Sequence, residues 1–359
     1  MRIAVFHLNN DYSGAPKALL PILEGLLDKG VTIDLVTSAG GPLDVLAQRE
    51  GCRVIHCSYN YSQNKLRTSL SFLMCQLRVF FKALGMRRGY DAFYINTILP
   101  VGAALAGRLT GKRLVYHYHE NAYRKGRVYR ALADYMQRVA SRIICVSDFQ
   151  KSFLKRVADV SVVPNVVPEK FLGELKPDPE AKWEKKNVLM FSLLKPHKGT
   201  IAFTEIARRL PQYRFTLVIN DTRENIDSYW QSNGLPVLEN LTVLPTQRDV
   251  AECYNEASLV LNLSIRRLHT ETFGLTALEA FHAGVPVIAP DEGGIPEVVT
   301  HDVSGYLVKE SDIEGNCMLI DRILSDKELY MRLSHGASEN AKRFDHRQAV
   351  DTIYKLLKP

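Results

Sequence analysis

Residues 264–308 read SIRRLHTETFGLTALEAFHAGVPVIAPDEGGIPEVVTHDVSGYLV, and this stretch decides the fold. From Leu275 the apolar residues recur at helical spacing as far as Ala283. Gly284 ends that helix, and Val285–Ile288 follows as a short run apolar on every residue. Gly305–Val308 repeats the pattern after a turn rich in glycine. Short strands without polar alternation are buried on both faces, which a parallel sheet covered by helices provides.

Outward from this stretch the same alternation fills the chain. Towards the N-terminus the strand candidates are Ile3–Phe6, Thr32–Val36, Arg53–His56, Ala92–Ile95, Arg113–Tyr118, Arg142–Val146 and Val160–Val163. Helical patterns lie between them near Gly14–Asp28, Pro42–Glu50, Leu66–Leu84, Val101–Leu109, Arg127–Ala140 and Phe149–Val157. Residues 168–186, rich in Pro, Glu and Lys, lack apolar periodicity and read as a linker. Strands then resume at Val188–Leu193, Arg214–Ile219, Leu241–Leu244 and Leu259–Leu263, ahead of the two in the opening stretch. Helices are expected at Thr200–Leu210, Asp249–Asn255, Leu275–Ala283 and Ile313–Ile323, with a helical tail from Lys327 to Leu357.

The expected class is therefore α/β: two Rossmann-like doubly wound domains, residues 1–167 and 187–344, facing a central cleft where such folds bind ligands. The last helix, residues 345–359, is expected to pack back on the first domain.

The residues around Gly274 point to a phosphate ligand. Glycine permits a tight entry to the helix, and the amides near Leu275 and Thr276 are free at its start. Such a helix end seats a diphosphate. Glu279, further along the helix, offers only acceptors and suits the hydroxyls of a ribose. Glu271, eight residues earlier in the loop with Thr272 and Phe273, is placed to reach a sugar. Taken alone, this spacing also fits a plain helix–strand unit with surface glutamates.

In order, Glu271 and Glu279, Phe273-Gly274, Gly284–Ala289 (GVPVIA) and Glu292–Glu297 (EGGIPE) resemble the retaining family 4 glycosyltransferases, which have the GT-B fold. Phe191–Thr200 (FSLLKPHKGT) is similar to the family's G-R-L-x-x-x-K-G, with Ser192-Leu193 in place of Gly-Arg. The resemblance implies that Lys198 neutralises the leaving diphosphate; Lys195, in the same turn, either supplies the cation of the missing arginine or is a solvated surface lysine. Ser13-Gly14, before the first helix, resembles the family's glycine-rich loop, and Gly14 is placed at the donor on that basis. Helix capping by Ser13 is the competing reading. At the strand end HYHEN, His119 best matches the family histidine beside the transferred sugar, with Glu120 to orient it for proton transfer. His117 shares its face and competes for the role. Arg142–Ser147 and Val163–Val166 extend the likeness, with Asn165 shaping a turn.

The function so implied is transfer of a sugar, hexosyl in type, from a nucleotide sugar to an acceptor hydroxyl with retention. UDP is the favoured nucleotide, and Asn220, Thr246 and Gln247 are placed at loops bordering the base. The acceptor class is a glycan or a lipid-linked glycan, in cell-surface polysaccharide or glycolipid synthesis. No D-x-D motif is present, so no metal ion and no cofactor is expected. A sugar-nucleotide epimerase of the same fold, or a sugar-nucleotide-binding module without catalysis, are the alternatives.

Charge is unevenly spread. Up to Lys170 there are 24 Lys/Arg against 12 Asp/Glu, and beyond it 22 against 27. The basic half suits an anionic membrane surface or acceptor; no nucleic-acid motif accompanies it, so nucleic acid is not an expected partner. Leu66–Arg88 places Leu66, Leu70, Leu73, Leu77, Phe80 and Leu84 at helical spacing among Arg67, Arg78, Lys82, Arg87 and Arg88. Both an interfacial helix and a core helix with a basic outer face fit that pattern. The six cysteines form no C-x-x-C pair and are expected as buried thiols of a reducing compartment. The N-terminus reads as a strand and no segment has the length of a spanning helix, so a cytoplasmic protein, peripheral on the inner face of the membrane, is expected.

Overall fold

The computed structural model describes residues 1–57, 64–155, 159–264, 270–309 and 312–358. The chain divides into two compact units, Met1–Val166 with His346–Pro359, and Val167–Asp345.

In the first unit, β1 (Arg2–Phe6), β2 (Thr32–Thr37), β3 (Cys52–His56), β4 (Ala92–Asn96), β5 (Arg113–Tyr118), β6 (Arg142–Cys145) and β7 (Val160–Val162) form one sheet. Its order is β3-β2-β1-β4-β5-β6-β7, and every pairing is parallel. The register sets Ile95 opposite Phe6 and His117 opposite Asn96, so the ends of β1, β4 and β5 gather at one edge. Alternate strand residues feed two cores. Ala4, Phe6, Phe93, Ile95, Leu114 and Tyr116 pack on one face, while Ile3, Val5, Tyr94 and Val115 pack on the other. Helices α1 (Gly14–Asp28), α2 (Lys65–Gly85), α3 (Val101–Leu109) and α4 (Arg127–Val139) cover the sheet. The His346–Leu357 helix joins the second core through Ala349, Val350, Ile353 and Leu357, and His346 Nε2 lies 2.9 Å from the Pro21 carbonyl.

The second unit holds β8 (Asn187–Ser192), β9 (Arg214–Ile219), β10 (Leu241–Leu244), β11 (Leu259–Leu261), β12 (Val287–Pro290) and β13 (Gly305–Val308). The order is β10-β9-β8-β11-β12-β13, again all parallel. Both sheets are thus doubly wound, with the order reversing beside the first strand of each.

Three readings of the sequence change. Residues 168–186, read as a linker, carry two short helices, Glu169–Glu174 and Pro179–Lys185. Their missing apolar stripe has a local cause: the Lys182 stem is buried and its ammonium bonds the carbonyls of Tyr254 and Asn255 at 2.7 and 3.2 Å. The strand expected at Val285–Ile288 starts two residues later, because Pro286 has no amide to enter a ladder. An unexpected helix, Arg223–Ser232, buries only Ile226 and so has almost no apolar signature. Of the six cysteines, Cys57, Cys75 and Cys145 are buried and the other three half-buried, all as thiols. No helix among the described residues is long and apolar enough to cross a membrane.

Candidate functional site

The opening stretch builds its site within the second unit. Gly274 stands before the helix Leu275–His282 with φ 125°, a backbone region that side-chain-bearing residues rarely enter. Its carbonyl accepts the amides of Ala277 and Leu278 at 3.0 and 3.2 Å. The amides of Leu275 and Thr276 come earlier in the helix than the first intrahelical donors, and Gly274 at the N-cap has no side chain to cap them. Phe273 is buried and meets the Phe344 ring edge-on at 5.6 Å, which anchors the approach to that helix end.

The Gly293-Gly294 pair holds the Glu271 loop. The Gly294 amide donates to the Glu271 carbonyl at 3.0 Å. A Cβ on Gly294 would stand 2.1 Å from the Thr272 carbonyl oxygen, and one on Gly293 would stand 2.2 Å from that of Glu271. Only two bare backbones approach so closely. The Thr270 hydroxyl adds a bond to Glu292 at 3.3 Å.

Lys198 and Glu271 meet: Nζ lies 2.5 Å from Oε1, with both side chains partly accessible, and the Ser264 hydroxyl lies 3.4 Å from the same oxygen. Lys198 ends the turn Pro196–Lys198 after β8. Ser192, in the place of the family's glycine, ties that turn down, its hydroxyl reaching the Lys198 carbonyl at 3.2 Å and Thr200 Oγ1 at 2.9 Å. Lys195 opens the turn with its side chain exposed.

Glu279 is positioned by a residue the sequence reading missed. The Tyr254 hydroxyl donates to Glu279 Oε2 at 2.5 Å and lies 3.4 Å from the Thr276 carbonyl. Tyr254 is fully buried, with Phe171 edge-on at 5.8 Å and Phe191 at 5.1 Å. Burial and the adjacent carboxylate hold its pKa well above the ordinary value, so it stays a donor. Tyr254 lies in the short Ala251–Asn255 helix, far from the motif in sequence, and only the fold brings it there. Among the loop residues expected near a base, Thr246 Oγ1 bonds Asn220 Oδ1 at 3.1 Å, and Gln247 turns back to the Pro245 carbonyl at 2.8 Å.

The other candidates belong to the first unit. His119 follows β5, with Nε2 2.9 Å from Asn96 Oδ1 at the end of β4. Asn96 Nδ2 reaches His7 Nδ1 at 3.1 Å, and the His117 and His119 rings lie 4.2 Å apart. His117 Nδ1 is 2.7 Å from the Tyr94 hydroxyl. Burial pushes His7 down to about 4 and His117 to about 3; burial, then His117 and His7, hold His119 well below the ordinary histidine value. The three rings are neutral at pH 7. Sequence placed Glu120 as the orienter of His119, yet Asn96 holds its Nε2, while the Glu120 carboxylate accepts the Ile98 amide at 3.3 Å. His117 is fully buried against Tyr94, whereas His119 is half-buried. Gly14 opens α1 in an exposed position. Ser13 does not cap that helix: its hydroxyl and its amide both turn to the Asp11 carboxylate.

Comparison with known proteins gives the family and the fold. A family model described as Glycosyltransferase Family 4 matches residues 12–171, and one described as Glycosyl transferases group 1 matches residues 173–343. An uncharacterized glycosyltransferase of Haemophilus influenzae is 21% identical over 93% of each chain. A D-inositol 3-phosphate glycosyltransferase of Saccharomonospora viridis is 38% identical, over 32% of this chain and 26% of its own. An N-acetyl-alpha-D-glucosaminyl L-malate synthase of Bacillus anthracis is 33% identical, over 38% and 36%. The matched part is thus about a third or less of those two relatives' length. Among solved structures, Anabaena HepE in complex with UDP and glucose superposes with a TM-score of 0.80 at 22% identity, covering 99% of this chain and 98% of that one. Sucrose-phosphate synthase from Thermosynechococcus elongatus gives 0.80 at 19% identity with the same coverage.

Proposed function

This chain belongs to glycosyltransferase family 4 and has the GT-B fold, and on that premise we propose that it transfers a hexose from a UDP-sugar to an acceptor hydroxyl with retention and without a metal ion. The observation that carries the reading is the pairing of Lys198 with Glu271 in the unit that also holds the glycine-led helix start at Leu275 and Thr276. The diphosphate sits on those amides, where backbone dipoles and helix orientation favour an anion. Lys198 adds a full positive charge as the leaving group gains negative charge. Binding of UDP and glucose by Anabaena HepE and the presence of UDP-2-fluoro glucose in a trehalose-6-phosphate structure from E. coli support a nucleotide-sugar donor.

In the reaction the bond from the anomeric carbon to the diphosphate oxygen breaks. The bond to the acceptor oxygen forms on the same face, and the acceptor proton passes to the departing diphosphate. Glu271 bonds hydroxyls of the hexose, and its pairing with Lys198 orients both groups. Glu279, aimed by Tyr254, accepts the ribose hydroxyls. His119 serves as a neutral hydrogen-bonding group at the sugar, fixed through Nε2 by Asn96. Gly14 and Lys195 complete the donor contacts. The acceptor is a growing glycan or a lipid-linked one, and the enzyme works in the cytoplasm at the inner face of the membrane, in surface polysaccharide or glycolipid synthesis.

The test is a thermal-shift screen of nucleotides and nucleotide sugars with product analysis. UDP and a UDP-hexose are expected to stabilise the protein, and product is expected only with an acceptor. Glu279→Ala weakens nucleotide binding, and Glu271→Ala lowers turnover more than stability. Epimerised donor in the absence of acceptor, or binding without any product, refutes transfer.

A further inference from the structure

The helix expected at Leu66–Leu84 exists, and a set of its large apolar residues lies outside the core. Leu66 is 81% exposed, Leu70 61%, Leu73 54%, Met74 45%, Leu77 44% and Phe81 65%. Their spacing keeps them within about 100° of the circumference of α2, a continuous stripe four turns long. A different set faces the protein: Cys75, Val79, Ala83 and Met86 are in the core, with Phe72 and Phe80 against it. Arg67, Arg78 and Lys82 lie between these two sectors, along one flank of the exposed stripe. Next to α2, α3 is held by Gln76, whose Nε2 donates to the Leu99 carbonyl at 3.1 Å and whose Oε1 accepts the Gly102 amide at 2.8 Å. α3 extends the apolar surface with Leu105, 44% exposed, and Leu109, 67% exposed.

Folding leaves single apolar side chains at a surface routinely, but a stripe of six on one helix needs a partner. Charge selects which. From Gly51 to Tyr90 the sequence holds no Asp or Glu, and onward to Ala133 only Asp91 and Glu120. The same span carries Arg67, Arg78, Lys82, Arg87, Arg88 and Arg108 on or beside these helices. A second copy would bring two such cationic faces together, at a repulsive cost. An anionic bilayer offers hydrocarbon for the leucines and Phe81, and negative headgroups for the flanking cations.

We infer that the outer face of α2, with the end of α3, is the seat of this protein on an anionic lipid surface, entered by Leu66, Leu70, Leu73, Leu77 and Phe81. The inference rests on the proposed function for its purpose, delivery of the enzyme to a lipid-linked or surface acceptor, while the surface itself is read from α2, α3 and the charge around them.

The experiment is flotation of the full chain with vesicles of phosphatidylglycerol and phosphatidylcholine, and with phosphatidylcholine alone, at low and high salt. Leu70→Ser and Phe81→Ser sit on exposed positions outside the proposed donor site. The wild type is expected to float with anionic vesicles at low salt and to be released by high salt, with little recovery on neutral vesicles. Each variant is expected to lose binding at least tenfold while the UDP thermal shift stays at its wild-type value. That shift reports on the other unit, so membrane binding without it refutes the donor reading alone. Wild type that stays soluble with anionic vesicles, or variants that float unchanged, overturns the inference. So does a concentration-dependent dimer, seen by light scattering without vesicles and abolished by the same variants, which assigns the stripe to a second copy.

Discussion

Tyr254→Phe removes one oxygen and tests whether Glu279 is aimed. The hydroxyl donates to Glu279 Oε2 at 2.5 Å, a length typical of a hydrogen bond to an ionised carboxylate. Such a bond is worth about 1.5–3 kcal/mol, against about 1 for a neutral pair. The ring itself stays, since Phe171 and Phe191 pack on it and phenylalanine has the same shape. Glu279 is half-buried, so water replaces part of the lost bond and the cost in folding stability falls near about 1 kcal/mol. In the complex the carboxylate must be fixed to receive the ribose, and the freedom gained on losing Tyr254 Oη opposes that. Donor affinity is expected to fall about 5- to 10-fold, near 1–1.4 kcal/mol. Calorimetric titration with UDP and with its 2′-deoxy and 3′-deoxy analogues measures it. The wild type should prefer the ribonucleotide, and Tyr254→Phe should shrink that preference, as should Glu279→Gln. Tyr254→Phe that binds UDP like the wild type and discriminates the deoxy analogues as strongly refutes the aiming role.

Lys198→Ala separates function from stability: the pair with Glu271 is partly accessible, so its loss should change unfolding free energy by no more than about 1 kcal/mol, whereas turnover should fall about 100-fold or more in a coupled assay of UDP release. Gly294→Ala places a carbon 2.1 Å from the Thr272 carbonyl, so the Glu271 loop must move; about 1–3 kcal/mol of stability should be lost in denaturant titration and donor affinity should drop with it. Acid should destabilise the first unit, because His7 and His117 titrate near 4 and 3 when folded but near 6.5 when unfolded. Below about pH 6.5 the unfolded chain holds more protons, so stability falls as pH falls, by up to about 1.4 kcal/mol per pH unit for each histidine; histidine NMR signals that titrate near pH 6.5 in the folded protein would contradict this. Asn96→Asp puts a carboxylate at 2.9 Å from the His119 ring and should raise its pKa, giving an acid limb in the pH–rate profile that the wild type lacks; identical profiles would remove Asn96 as the positioning residue.

The strands of the two sheets were legible because most are short runs rich in β-branched and aromatic residues without a sustained polar alternation, as a sheet buried on both faces favours. The Gly274 turn was legible for the opposite reason: a backbone that needs the absence of a side chain leaves a mark in the sequence; Gly293-Gly294 stood out only as part of the family motif, and its contact with the Glu271 loop came from the structure. Tyr254 and Asn96 left none. A buried tyrosine or a strand-end asparagine is ordinary in any α/β unit, and its partner is set by which strands become neighbours. His119 shows the same limit. Its candidacy came from the family resemblance at a strand end, but its neutrality follows from burial first, then from His117 beside it and from His7, which follows β1 more than a hundred residues away in the chain and two strands over in the sheet. On α2 the periodicity was correct and the face was ambiguous, since two apolar stripes share the helix and only packing chooses which one the core takes.

The segment 168–186 carries the consequence furthest. Its composition reads as a spacer, yet Phe171 packs edge-on to Tyr254 and the Lys182 ammonium holds the carbonyls of Tyr254 and Asn255. Asn255 returns the contact, its side chain bonding the Lys176 amide at 2.8 Å and the Glu174 carbonyl at 3.0 Å. These bonds close the end of a five-residue helix too short to be stable by itself. Tyr254 sits in that helix, and its hydroxyl fixes Glu279. A buried ammonium is costly to desolvate unless its protons are met, and two carbonyls freed at the end of a short helix meet them. Charged residues here therefore serve positioning, which apolar residues could not do because they satisfy no carbonyl. The orientation of Glu279 thus depends on residues about a hundred positions earlier, through one lysine and one tyrosine.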